Sequence, residues 1–272
     1  MALKLNPGLL NKAVRVLVIG AGGTGSQVLY GLAQLDMAMR ALGHPHGLSV
    51  TVQDGDTVSH SNIGRQLFFP ADVGANKATV LTHRINLTFG TRWEADPDMA
   101  SRSKLNVISP DIVITCVDNR KARALVHDYF CSTNVYRGLY WLDFGNKVSS
   151  GQAIIGYAED RKVVVPSSAE LFTEIADPNL VDDDDGPSCS LVDALAKQSL
   201  FVNRTLASHG LNMLWELFRH AQVDHHGIFM NLKSGRVTPL RVDANEWQRF
   251  GWPPAPKPRT RKRASKAMKA AQ

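Results

Sequence analysis

Four short signals suited to a polyphosphate stand in order within the first 120 residues. Gly20-Ala21-Gly22-Gly23-Thr24-Gly25 follows the apolar run 14–19. Asp54-Gly55-Asp56 comes next, then Ser61-Asn62-Ile63-Gly64-Arg65-Gln66 and Lys77, and Cys116-Val117-Asp118-Asn119 ends another apolar run. Glycines at 20, 22, 23 and 25 permit a tight turn and let backbone N–H groups approach a phosphate at a helix N-terminus. That turn alone leaves the nucleotide open between NAD, FAD and ATP. Asp54, or in second place Asp56, is the acid expected on a ribose hydroxyl at the end of a second strand. It lies further from the glycines than the usual interval of about 20 residues, and the loop around His44 to Gly47 accounts for the excess. Arg65 and Lys77 suit a β,γ-diphosphate that gathers negative charge as it leaves, for which a dehydrogenase has little use. Asp118, at the carboxyl end of a strand beside the same crevice, is where a Mg²⁺ ligand would sit. Taken singly each is weak, since a helix-surface lysine is usually solvated and Asp-Asn is usually a helix cap. Their shared order carries the reading.

These residues need a scaffold that brings strand ends together. Residues 15–20 form a short apolar run of the fully buried kind found in parallel sheets. A helix is expected from Thr24 to about Met39, with Val28, Leu29, Leu32, Ala33 and Leu35 as its apolar face. Gly43-His44-Pro45-His46-Gly47 breaks the pattern into a loop. Further strands are expected at 48–53, 111–117 and 140–144, and helices at 76–87 and 120–131. This alternation predicts an α/β, Rossmann-like doubly wound, mostly parallel sheet. After Gly145 the pattern changes to strands at 152–157 and 162–165 without an intervening helix. A polar stretch containing Asp182 to Asp185 follows, read as a solvated crossover near the site. One long helix over 191–220 and a hairpin of 228–232 with 237–242 complete a mixed-strand extension. The expected organisation is one domain over 1–252, with a nucleotide-binding core at about 14–145, and a tail over 253–272.

Composition sets the outer bounds. With 272 residues, 44% hydrophobic and 21% charged, the chain reads as a globular protein. No run approaches the roughly 20 apolar residues of a membrane span, and no secretory layout is seen at the start. Cys116, Cys131 and Cys189 show no paired spacing for zinc or disulfides, which fits a reducing cytoplasm. The net charge of +6 belongs to the tail, where 253–272 holds seven Lys or Arg and no acid. That tail is read as a solvated disordered extension, the only part suited to nucleic acid.

The chain resembles the ThiF/MoeB/HesA family, the bacterial relatives of ubiquitin-activating enzymes. Gly-x-Gly-Gly-x-Gly, Asp-x-Asp-x-Val-x-x-x-Asn-x-x-Arg-Gln, Gly-x-x-Lys and Asp-Asn stand at Gly20–Gly25, Asp54–Gln66, Gly74–Lys77 and Asp118–Asn119. The similarity covers roughly residues 14 to 157, with an echo in the helix after Cys189. Its length, the His44–Gly47 loop and the helix of Asn203 are most similar to the ThiF-like branch of PRTRC systems. The resemblance implies an enzyme, an ATP-dependent adenylyltransferase. The C-terminal carboxylate of a ubiquitin-like or sulfur-carrier protein would attack the α-phosphate, giving an acyl-adenylate and pyrophosphate. It further implies Asp54 on the ribose, Asn62, Arg65 and Lys77 on the phosphates, Asp118 on Mg²⁺, a supporting role for Gln66, and a homodimer.

The departures are specific. The family's Cys-x-x-Cys pairs are absent, so no structural zinc is expected. Met1 to Lys12 offers only Lys4 and Lys12 where relatives carry an arginine that reaches the partner subunit's site. Cys189 lies where family members can carry a reactive cysteine for a thioester or persulfide, but no Lys, Arg or His adjoins it to lower its pKa. Cys116 and Cys131 read as sheet and helix core. His225 and His226, adjacent in a strand, point to opposite faces and are no metal pair. Two other readings stay open: an NAD- or FAD-dependent oxidoreductase, which leaves Arg65, Lys77 and Asp118 unexplained, and a nucleotide-binding partner module without turnover.

Overall fold

Period-two alternation sends Val14, Val16 and Val18 to one side of their strand and Leu17 and Ile19 to the other, and all five are buried. A strand buried on both faces belongs inside a sheet covered twice by helices. The computed structural model, which describes residues 1–132, 137–180 and 198–253, places it there. The chain runs through β1 (Leu3–Lys4), β2 (Val14–Ile19), α1 (Gly23–Ala41), β3 (Leu48–Gln53), α2 (Lys77–Phe89) and β4 (Glu94–Asp96). It continues with α3 (Arg102–Ile108), β5 (Ile112–Thr115), α4 (Arg120–Phe130), β6 (Leu139–Asn146), β7 (Ser150–Glu159), β8 (Lys162–Val165) and α5 (Ser168–Leu171). The last described elements are α6 (Val202–His220), β9 (Gln222–Val223), β10 (His225–Asn231), β11 (Arg236–Arg241) and α7 (Ala244–Gln248).

Nine described strands make one sheet in the order β11-β10-β7-β6-β5-β2-β3-β4, with β8 beside β7. From β4 to β6 the neighbours are parallel. From β6 outward they are antiparallel. The chain winds from β2 to β3 and β4, then returns to the other side of β2 for β5 and β6. The topological switch therefore falls between β2 and β5, and the crevice above their carboxyl ends is where such sheets bind ligands. Helices α1, α2 and α6 cover the face bearing Val16 and Val18. Helices α3, α4 and α5 cover the face bearing Leu17, Ile19 and Trp141.

The expected doubly wound, mostly parallel sheet with an antiparallel extension is thus present. The strands and helices expected in residues 15–165 and the terminal hairpin are there, with ends displaced by a few residues. Three readings are corrected. The long helix begins at Val202, because residues 198–201 form a turn whose Gln198 side chain is engaged elsewhere. Strand β4 and helix α3 were not foreseen, being too short to show a period; Ser101 Oγ caps α3 by accepting from Lys104 N at 3.4 Å. Cys131 is not helix core: it is the exposed C-cap of α4. Residues 181–197, with the Asp182–Asp185 run and Cys189, and 254–272, most of the basic tail, lie outside the described residues.

Candidate functional site

The glycine turn leads from β2 directly into α1. Gly20 has φ of +93°, and a Cβ there would stand 2.7 Å from the carbonyl oxygen of Cys116. Only glycine combines that left-handed backbone with so close an approach to the end of β5. A Cβ on Gly25 would collide with Gly20 O, so the first turn of α1 folds tightly over the loop. Helices α2 and α4 are capped by asparagines: Asn76 Oδ1 accepts from Thr79 N and Asn119 Oδ1 from Ala122 N. Helix α1 instead starts on Gly22, which has no side chain to turn back on its first N–H groups. Those donors and the positive end of the helix dipole face the crevice.

Asp54 and Asp56 follow β3 and are fixed by backbone donors. Asp54 Oδ2 accepts from Ala21 N at 2.6 Å and Oδ1 from Asp56 N at 2.8 Å, which ties the acid to the glycine turn. Burial raises its pKa above the ordinary carboxylate value, while those two bonds and the charge of Lys77 hold it down. Each oxygen keeps a lone pair for a hydroxyl. Lys77 opens α2: its N donates to Asp56 O, and its Nζ reaches Asp56 Oδ2 at 2.9 Å. Asn76 Nδ2 donates to Asp54 O at 2.7 Å, which joins the acidic loop to the same helix start. Lys77 is only 9% exposed, so it is not a solvated surface lysine. The pairing is with a carboxylate whose own side chain is 56% exposed, a partner that an incoming anion can replace.

Arg65 and Gln66 enter from the loop before α2. Arg65 Nη1 donates to Gln198 Oε1 at 2.7 Å, and the Asp118 carboxylate lies near enough to favour its charge. Burial nevertheless pulls the arginine pKa below its ordinary value. Gln198 is shared, because Asn203 Nδ2 donates to the same oxygen at 2.8 Å. Asn203 Oδ1 accepts in turn from Thr24 Oγ1 at 2.9 Å. A hydrogen-bond chain thus runs from the first turn of α1 through α6 to Arg65. Three buried atoms on the wall, Arg65 Nε, Gln66 Oε1 and Gln53 Oε1, have no hydrogen-bond partner among the described residues. Buried polar atoms are rarely left so, and a polar ligand would satisfy them.

All of this surrounds one cleft of about 440 Å³ at the switch point. Gly20, Gly22, Gly23, Asp54, Asp56, Arg65, Gln66, Lys77 and Asp118 line it, as the sequence predicts. Among the described residues, two expected ones do not. Gly25 serves the fold of the turn, and Asn62 sits behind the wall with its Oδ1 on Ser59 N at 2.9 Å. The opposite wall was not foreseen: Asn146, Lys147 and Gln152 from β6, β7 and their turn, Ile175 after α5, and Gln198 with Asn203. Asn146, Lys147 and Gln152 show only polarity at a strand end, which does not say which cleft they join, and Ile175, Gln198 and Asn203 show no local signal.

Below the cleft lies a buried ion pair. Arg123 Nε meets Asp143 Oδ1 at 3.0 Å, and its Nη2 donates to Val117 O and Phe144 O. Asp143 also accepts from Thr115 Oγ1 and Ser168 Oγ, so β5, β6, α4 and α5 meet on one carboxylate. Cys116, at the cleft edge, is held as a protonated thiol by burial and by Asp143.

A model of the ThiF family matches residues 9–173. Ubiquitin-activating enzyme E1 1 of Candida albicans is 26% identical over 182 residues, 61% of this chain and 16% of that protein. The SUMO-activating enzyme subunit uba-2 of Caenorhabditis elegans is 34% identical over 124 residues, 42% of this chain and 19% of that one. The matches therefore span less than a fifth of the length of these curated relatives. Among solved structures, PaaA gives a TM-score of 0.58 at 18% identity, over 84% of this chain and 64% of PaaA. E. coli MccB with ATP gives 0.57 at 16%, over 86% of this chain and 64% of MccB. At these identities the likeness is one of fold.

Proposed function

Since the chain belongs to the ThiF family, we propose that it is an ATP-dependent adenylyltransferase acting on the C-terminal carboxylate of a ubiquitin-like or sulfur-carrier protein. The observation that carries this reading is convergence. Uncapped helix donors, a ribose-type acid, Arg65, Lys77 and Asp118 all face one cleft at the switch point. The ATP in the MccB structure and the activating enzymes among the relatives support the same choice of nucleotide and substrate class.

In the reaction a carboxylate oxygen bonds to the α-phosphorus, the α–β P–O bond breaks, and pyrophosphate leaves with the electron pair. No general base is needed, because a carboxylate is ionised at neutral pH. Asp54 accepts the ribose hydroxyls and the first N–H groups of α1 hold phosphate oxygens. Lys77 exchanges Asp56 for the β,γ-phosphates, and Arg65, steadied by Gln198, meets the charge that grows on the leaving group. Asp118 would hold the Mg²⁺ that accompanies ATP, and the ion would offset the charge of the phosphates. Catalysis then rests on positioning and charge stabilisation. The proposal includes a homodimer. The thioester or persulfide role considered for Cys189 concerns a residue outside those described.

Exchange of labelled pyrophosphate into ATP tests this directly, using ubiquitin-like and sulfur-carrier proteins that end in Gly-Gly. Exchange with a free C-terminal carboxylate, and none with the amidated carrier, supports the proposal. Tight ATP binding without exchange for any carrier would favour a partner module instead.

A further inference from the structure

Three side chains of metal-ligand chemistry meet on the sheet face opposite α1. His127 and Cys131 are four residues apart, so they share one side of α4. They lie one to two turns beyond Arg123, the last residue of α4 on the cleft, roughly 6–12 Å along the helix, and none of the three lines the cleft. Glu170 of α5 faces them. Its Oε1 stands 2.9 Å from His127 Nε2 and 3.3 Å from Cys131 Sγ. The ligand atoms of all three lie within 4.8 Å of one another. The other oxygen, Oε2, accepts from Ser167 N at 2.7 Å and from Ser167 Oγ, so the carboxylate is locked with one edge toward α4. A fixed outer partner of this kind is what orients a metal-binding carboxylate.

An ordinary ion pair explains His127 and Glu170 but not the thiol. Cys131 is a weak donor on an oxygen that the imidazole already occupies. A tetrahedral cation accounts for all three. With Zn–N and Zn–O near 2.0–2.2 Å and Zn–S near 2.3 Å, neighbouring ligands stand roughly 3.3–3.6 Å apart, which asks for only small side-chain shifts here.

We infer that His127, Cys131 and Glu170 form a site for one divalent cation of the zinc class, with water as fourth ligand. Binding displaces the thiol proton, and the second imidazole proton where present, to solvent. The expectation of no structural zinc rested on the missing Cys-x-x-Cys pairs, and this site uses none. Its consequence is mechanical. Ser168 on α5 bonds Asp143, and Ile175 just beyond reaches the cleft wall. A cation tying Glu170 to α4 braces the segment that closes this side of the cleft, whatever substrate the cleft serves.

The test is a titration of the metal-free, nucleotide-free full chain with Zn²⁺ against a chromogenic chelator, and with Co²⁺ followed by absorption. The expected result is one Zn²⁺ per chain and a thiolate-to-cobalt charge-transfer band. Cys131→Ser should abolish the band, and both Cys131→Ser and His127→Gln should weaken Zn²⁺ at least tenfold. Cys189→Ser and Asp118→Ala should leave both readouts unchanged. Absence of a bound equivalent, or a band that survives Cys131→Ser, would overturn the inference. Two exchangeable variants, each checked by circular dichroism, keep a misfolded one from deciding the matter.

Discussion

The two walls of the cleft are built in different ways. On one side, the glycine turn, Asp54, Asp56 and Lys77 follow parallel strands or open helices, and each is tied to a backbone group of its neighbour. On the other side, Gln198, Asn203, Asn146 and Lys147 come from the antiparallel half and reach the cleft only through tertiary pairing. The first wall carries the charges that suit a nucleotide, and the second holds them in place. Thr24 and Asn203 are 179 residues apart in the chain, yet that bond links the start of α1 at the glycine turn, through Gln198, to Arg65. The difference teaches that here chemistry is local in sequence and alignment is not.

The largest effect should come from the floor the two walls share. Asp143→Ala leaves Arg123 buried without its carboxylate and should cost about 3–5 kcal/mol, seen as a large drop in the urea midpoint. A midpoint within error of the parent would mean that the walls do not depend on this pair. Next come the charges of the first wall. Lys77→Ala and Arg65→Ala should each slow adenylation by about 10²–10³, with a smaller loss of ATP affinity. Equal losses in rate and affinity would show uniform binding instead.

A pH series probes the antiparallel half on its own. His226 is buried between Ile155 O and Trp247 Nε1, and burial lowers its pKa from 6.5 to about 4. The unfolded chain takes up the proton first, so this contribution is whole above pH 6.5 and is lost as pH falls toward 4. It amounts to roughly 3 kcal/mol. The melting temperature of the parent should fall more steeply over that window than that of His226→Asn; parallel curves would reject the assignment. The smallest effect tests alignment. Gln198→Ala should slow turnover about five- to tenfold, the worth of roughly 1 kcal/mol in one hydrogen bond, and leave the fold intact. A loss as large as that of Arg65→Ala would mean that the second wall takes part in the chemistry.

The sequence was most informative where local geometry dictates residue type. Gly20 is required by its positive φ and by the nearness of Cys116, so the turn could be read before the sheet was known. The apolar runs likewise placed Asp54 and Asp118 at strand ends, and the helix expected over 76–87 carried Lys77 at its start. Asn62 does not line the cleft here: a motif records order but not the direction of a side chain, and this side chain caps its own turn. Gln198 and Asn203 gave no local signal, since their partners lie across the fold. The start of α6 was hidden for the same reason, as the apolar pattern runs on past the turn that positions Gln198. His127 and Cys131 are separated in sequence from Glu170 by three strands, β6, β7 and β8, and only their packing reveals a cluster.

The most direct measurement is a calorimetric titration of the full chain with ATP and Mg²⁺ and, separately, with NAD, repeated on Asp118→Ala. The account predicts one ATP per chain, bound in a Mg²⁺-dependent way that the substitution abolishes, and no comparable affinity for NAD. Binding of NAD that ignores both Mg²⁺ and Asp118 would contradict it.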